Sequence, residues 1–243
     1  MAKVSNTGTR IWLNQYDLSG FLNAAALNVT QETPVVTTFS DAGPRRVVGN
    51  YDHAHEHTGF FDGVNDLIDE AIHSLITFDT VEYSLGQMFG SSSEGEIVYE
   101  SLVALSSKPL SGAVGGAVLL NQNYVGRNSA FRGIILRNAT VTGTGNGTGR
   151  NMGASTSGQT FRVVFRVFSG TFTSIGLKLQ ESTDDAAADA YADIAGLADT
   201  LTVVGVSGKT TTAATEAWKR LVVSGFTGTN AVIGVTAGIQ QGT

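Results

Sequence analysis

Apolar and polar residues alternate along this 243-residue chain in a series of short segments, the period-two signature of strands with one buried face. Ile11-Trp12-Leu13 opens the series and a turn follows at Asn14–Ser19. Val29–Phe39 reads as a strand with Leu27, Val29, Val35 and Phe39 on one side. Pro34 interrupts it, which predicts an edge strand or a bulge, because proline has no N–H to give a ladder. Asp41-Ala42-Gly43-Pro44 predicts a turn, and Asn50–Phe61 the next strand. Leu75–Tyr83, Ile97–Leu105, Ala117–Tyr124 and Phe131–Arg137 predict four more. One segment has the helical period instead. Val64, Leu67, Ile68, Ala71 and Ile72 fall at i, i+3, i+4, i+7 and i+8, predicting a helix over Val64–His73. Asp62 suits its N-cap and Asp66 the positive end of its dipole.

The pattern then breaks. Residues 141–157 are almost wholly Thr, Gly, Asn and Ser, without apolar period, and predict a linker. Beyond it the alternation sharpens. Phe161, Val163, Phe165 and Val167 alternate with Arg162, Val164, Arg166 and Phe168. Ile175, Leu177 and Leu179 alternate with Gly176, Lys178 and Gln180, and Trp218, Arg220 and Val222 with Lys219, Leu221 and Val223. Ile233, Val235 and Ala237 close the series. Asp184–Asp193, rich in Ala and Asp, predicts a helical turn or a loose loop. The expected organisation is mainly β: a β-rich unit over 1–140 carrying the helix, the linker, and a second antiparallel β-sandwich over 158–243.

Composition narrows the function. Hydrophobic residues make up 42% of the chain, enough for real cores, while charged residues make up only 15%. Gly stands at 30 against 3 Pro, which fits many turns. With 0 Cys there is no disulfide and no thiolate chemistry. A net charge of -6 opposes a surface that wraps nucleic acid, which needs clustered Lys and Arg. Arg45-Arg46 is only a pair. No apolar run reaches the roughly 18 residues of a membrane helix. Met1-Ala2-Lys3-Val4-Ser5 lacks the apolar core of a signal peptide, so synthesis in the cytoplasm is expected.

Candidate chemistry is sparse. His53, His55 and His57 stand at i, i+2 and i+4, on one face of a strand and about 6.6 Å apart. Two such imidazoles can share a Zn²⁺. Asp52 and Glu56 point to the other face, so a plain polar strand face is the expectation and no metal is assigned. Six copies of the three histidines, brought together in a ring, could also make a pH-sensitive belt, since His titrates near neutral pH. Gly208-Lys209-Thr210 resembles the end of a phosphate loop, but Val203 stands where that loop needs Gly. No Gly-x-Ser-x-Gly elbow occurs, and Ser91–Ser93 lies in a Gly/Ser loop. Asp184-Asp185 and Asp66/Asp69/Glu70 read as a loop and a solvated helix face. Trp12 and Trp218 suit a core or an interface better than a sugar site. No enzyme activity and no cofactor are expected.

Several pieces, in their order along the chain, carry a resemblance. They are Trp12–Leu22, Thr37-Thr38-Phe39, Gly49 and Gly59-Phe60-Phe61-Asp62-Gly63 before the helix. Later come Thr144-Gly145-Asn146-Gly147-Thr148, Leu177–Ser182, Ile194-Ala195-Gly196-Leu197 and Lys219–Val223. With these the chain resembles the major tail proteins, the tube subunits, of long-tailed non-contractile phages. The resemblance implies a tail-tube-like β-sandwich with one flanking helix. Subunits would join edge to edge into rings, usually six-fold, that stack into a tube through which DNA passes without specific binding. The second sandwich would decorate the outside. Partners would be other copies, a terminator, a tape measure and a baseplate, all in the virion tail and none in a membrane. Pro34, Phe39, Arg45, Arg46, Phe60, Phe61, Asp62, Leu67 and Ile68 become the candidate assembly residues. Loops Asp41–Gly49 and Gln87–Gly95 would reach neighbouring rings. His53-Ala54-His55-Glu56-His57 departs from the expected small polar residues. A head decoration protein, a baseplate or terminator component, and a carbohydrate-binding adhesion module are the alternatives.

Overall fold

The computed structural model describes residues 8–37, 43–46, 51–60, 83–113, 116, 118–127 and 130–240. Nearly all regular structure among them is strand. In chain order the strands are β1 (Arg10–Leu13), β2 (Tyr16–Asp17), β3 (Leu22–Gln31), β4 (Tyr51–Phe60), β5 (Tyr83–Met88), β6 (Ile97–Ser107), β7 (Leu110–Ser111) and β8 (Leu119–Gly126). The series continues with β9 (Phe131–Val141), β10 (Gly145–Asn146), β11 (Arg150–Asn151), β12 (Thr160–Ser182), β13 (Ala192–Leu201), β14 (Gly205–Thr211) and β15 (Trp218–Gln240). The mainly-β expectation holds. The helix expected over Val64–His73 lies outside the described residues, as does the strand expected over Leu75–Tyr83 apart from Tyr83.

The chain forms two compact units. The first takes Met1–Gly20, Tyr83–Leu102 and Ala130–Gly242; the second takes Phe21–Glu82 and Val103–Ser129. These are not the units expected from the sequence, 1–140 and 158–243. The reason is strand pairing across the expected boundary: Phe131–Val141 of β9 lies antiparallel to Ala231–Gln240 of β15. The expected linker, 141–157, is also tied down. Gly145 and Asn146 pair with Val223 and Val222, and Arg150 and Asn151 with Lys219 and Trp218. Its Thr, Gly and Asn content makes short two-residue strands without an apolar face, so period alone could not reveal them.

In the first unit the strands run in the order β13-β12-β15-β9-β6-β5-β1-β2. The long partners β12 and β15, each 23 residues, pair along their whole length. Register shifts between Val167 and Leu177 break that ladder near its middle. Gly228, opposite Phe172, has φ 157°, and an added Cβ there would lie 2.5 Å from the Phe172 Cα. Only glycine fits such an approach. On either side of the shifts, Phe161, Val163, Phe165 and Val167 share one core with Ile175, Leu177 and Leu179. Leu221, Val223, Ile233 and Val235 supply the β15 share, and Leu136 and Val141 come from β9. The two halves of the hairpin therefore face each other as the layers of a sandwich.

The other face of the first half of β12 is buried too. Trp12, Met88, Val98 and Ile135 form a second core there, with Phe168 packed against it. Hence Phe161–Val167 is buried without interruption. Arg166 sits inside, fully buried, and its guanidinium meets the Glu100 carboxylate at 2.6 and 2.8 Å. Ser84 Oγ and the Asn14 carbonyl accept from the same guanidinium at 3.0 Å each, and Thr236 Oγ1 donates to Glu100 at 2.7 Å. Every charge is thus matched and hydrogen-bonded, the condition under which a buried pair is tolerated.

The second unit is a smaller antiparallel sheet. β4 lies between β3 and β8, and β8 also pairs with β7 and with Val103–Ser107 of β6.

Candidate assembly surface

The strand β3 reads Leu-Asn-Ala-Ala-Ala-Leu-Asn-Val-Thr-Gln over 10 residues. It contains no charged residue and no proline. Among the described residues it is paired on one side only, with β4. None of its side chains is buried, and Val29 is 58% exposed. A free strand edge offers a row of backbone donors and acceptors, and monomeric proteins blunt such edges with Lys, Pro, bulges or short length. β3 has only a register shift at its start, between Leu22 and Ala24. Among the described residues the geometry is that of an edge open to another strand.

The expected strand over Val29–Phe39 therefore begins earlier and ends sooner. Asn23-Ala24-Ala25-Ala26 lacks the apolar alternation that marks a strand, so its start was not legible. Past Gln31, Pro34 cannot donate to a ladder, and pairing shrinks to an isolated bridge between Val35 and Arg46. The Val36 N–H donates to the Arg45 carbonyl at 2.8 Å, and the Arg45 N–H to Thr37 Oγ1 at 3.0 Å.

Of the candidate assembly residues, Pro34, Arg45 and Arg46 stand together in this exposed stretch next to β3. Phe60 ends β4, half exposed, where its N–H donates to the Phe21 carbonyl at 3.0 Å. Phe39, Phe61, Asp62, Leu67 and Ile68 lie outside the described residues, as does most of the Asp41–Gly49 loop. In the Gln87–Gly95 segment, Gln87 and Met88 end β5 and are buried, and the loop proper starts at Phe89. Trp12 lies in the second core. Gly208-Lys209-Thr210 is extended within β14 against Arg162–Val164, so it forms no phosphate-binding loop.

His53, His55 and His57 share one face of β4, as their spacing predicts, but that face is interior: they are 3%, 0% and 1% exposed. Adjacent rings stand 5.7 and 6.2 Å apart, and the His57 ring lies 5.6 Å from that of Tyr124. Tyr124 donates its hydroxyl proton to Gln122 at 2.7 Å. Burial pushes the His53 imidazole below its ordinary pKa, while the Asp52 charge pulls the other way. Among the described residues no group of three His, Cys, Asp or Glu is arranged to hold a metal ion. The polar strand face expected from the sequence faces the interior.

Among the buried polar groups that escaped the sequence reading are two cations, Arg166 and Lys219. Arg166 looked like an outward residue of an alternating strand, yet Val164 and Phe168 flank it on its own face. A charge between two apolar neighbours on one face is the sign of a strand buried on both sides. Lys219 is the other. Its amine donates to the Gly153 carbonyl at 2.9 Å and to the Glu216 carbonyl, over the Phe161 ring. Burial pushes it down to about 8, against the Glu181 and Glu216 charges.

Fold and surface together define a mainly-β protein in which, among the described residues, β3 is paired on one side only. No protein-family model matches the chain, and no curated protein matches it. Among solved structures, it is similar to a chain of the virion of the native gene transfer agent particle. Identity there is 16%, over 53% of this chain and 97% of that one, with a TM-score of 0.43. It is similar to the SPP1 tail tube at 12% identity, over 54% and 78%, with a TM-score of 0.45. It is also similar to the SPP1 Dit protein, of the hub adsorption apparatus of phages infecting Gram-positive hosts. Identity there is 9%, over 96% and 99%, with a TM-score of 0.35.

Proposed function

We propose that this chain is a structural subunit of a phage tail that closes into rings by adding strands edge to edge, and that the rings stack into a tube. The observation that carries the reading is β3: ten residues, uncharged, with no buried side chain and paired on one side only among the described residues. A second copy that adds a strand there satisfies the row of free backbone groups, and a closed ring leaves no edge over. The order of resembling sequence pieces supports the same role. A net charge of -6 suits a wall past which DNA slides, since like charge gives no counterion release. Terminator, tape-measure and baseplate proteins are the partners this role requires.

Negative-stain imaging of the purified chain tests it. Hollow cylinders or rings are expected. The variant Ala24→Lys/Val29→Lys puts charge on both faces of β3 and should leave a folded monomer that forms none. Wild-type chains that stay solitary at high concentration would defeat the reading, and so would variant chains that still close into rings.

A further inference from the structure

We propose that the strand β3 meets in the next copy is β14, so that each ring contact joins two different edges of the chain. The inference rests on the ring reading above and names the partner of the same edge. A ring of more than two copies needs such a contact, because every subunit must give one surface and receive another. β3 against β3 would use up both edges at once and stop at a pair of chains. The acceptor must therefore be a second edge.

The candidates are few. Among the described residues, β2, β7, β10, β11, β13 and β14 share with β3 the lack of a second partner strand. β2, β7, β10 and β11 are each 2 residues long, too short to hold a strand of 10. That leaves β13 and β14, both paired with β12.

β13 is guarded. Its ladder on β12 jumps from Ala198 to Asp193, and Gly196 inside the jump has φ 80°. The Asp193 carboxylate stands in solvent beside Lys178. A bulge, a left-handed residue and exposed charge are devices that keep an edge from pairing. β14 has none of these. It runs opposite Phe161–Val167 without a register shift and contains no proline, no acid and no left-handed residue. Its single charge, Lys209, meets the Asp199 carboxylate at 3.2 Å, and the Ser207 hydroxyl donates to the same group. The turn into β14 also bares apolar surface: Val203 is 70% exposed, and Val204 beside it is exposed too. β3 offers Val29 in return. When these two edges meet, no lone charge loses its water.

Hydrogen exchange of wild-type rings against the Ala24→Lys/Val29→Lys monomer reads the contact directly. Peptides over 22–31 and 205–211 should gain protection together on assembly, about tenfold or more, while 192–201 stays as in the monomer. Rings that leave 205–211 as exchangeable as in the monomer would overturn β14 and leave assembly through β3 standing. Gly208→Lys/Thr210→Lys guards β14 instead. An added Cβ at Gly208 lies 3.6 Å from the Arg162 guanidinium, an ordinary contact, and Thr210 is exposed. That variant should form no rings. Mixed at high concentration with the β3 variant, it should give pairs with one chain of each kind and nothing larger, read by native mass spectrometry. One chain of such a pair keeps its β3 and the other its β14. Rings built from the β14 variant, or pairs of that variant with itself, would overturn the proposal. Wild-type chains that stay solitary would defeat the ring and this pairing alike.

Discussion

The first half of β12 and the strand β3 share one backbone conformation and have opposite surroundings. Phe161–Val167 is buried throughout, with strand partners on both edges, and carries Arg162 and Arg166. β3 has no buried residue, a partner on one edge among the described residues, and no charge at all. The usual rule places charge outside and apolar surface inside. Both strands invert it. A charge inside β12 is held by a matched partner and ties this strand to β6. The lack of charge outside β3 removes the ordinary guard against a further strand.

Breaking the match in β12 gives the largest expected effect. Glu100→Gln leaves the Arg166 guanidinium buried without its counter-charge and should cost about 3–5 kcal/mol in denaturant unfolding followed by circular dichroism. The double variant Glu100→Leu/Arg166→Met should recover most of that, because no charge is then left alone. A double variant as unstable as Glu100→Gln would show that packing rather than charge pairing holds the strand.

Lys219 sharpens the point with a cation that lacks a bidentate partner. Its folded-state pKa of about 8 lies below the ordinary lysine value, so between about 8 and 10.5 the unfolded chain binds more protons than the folded one. Stability contributed at this site should rise with pH across that window, by at most about 3 kcal/mol, and stay level below it. The check is the wild type minus Lys219→Met difference in unfolding free energy at pH 7, 9 and 10.5. A flat difference would refute it.

Smaller still is the backbone approach at the middle of the hairpin. Gly228→Ala sets a Cβ against the Phe172 Cα at φ 157° and should cost about 1–3 kcal/mol, read as a lowered unfolding midpoint. At the other end of the scale, Ala24→Lys/Val29→Lys in β3 should change monomer stability by less than about 0.5 kcal/mol. The same substitution should abolish assembly by light scattering. That contrast between a small folding effect and a large association effect is what separates an open edge from a core strand.

Strands with one buried face were legible. Tyr51–Phe60, Phe131–Val141 and the alternation from Phe161 to Leu179 lie close to where period two put them. β3 was displaced because a run of alanines has no pattern, and because Pro34 stops pairing instead of sitting inside it. The extended segment 145–151 was unreadable for the same lack of contrast. The histidine triplet was found as a cluster on one strand face, but its burial was not legible, since spacing fixes a common face and not which side of the sheet is dry.

The order of apolar and polar residues determined by itself that this protein is built of strands, where most of them run, and which side chains share a face. Those are properties of near neighbours, set by the two-residue repeat of an extended backbone. Only the tertiary structure decided that residues 131–141 belong with 231–240, that Arg166 meets Glu100, and that the three histidines point inward. Each depends on segments brought together across long stretches of chain. Burial and pairing at that distance are set by what packs opposite, which no local pattern encodes.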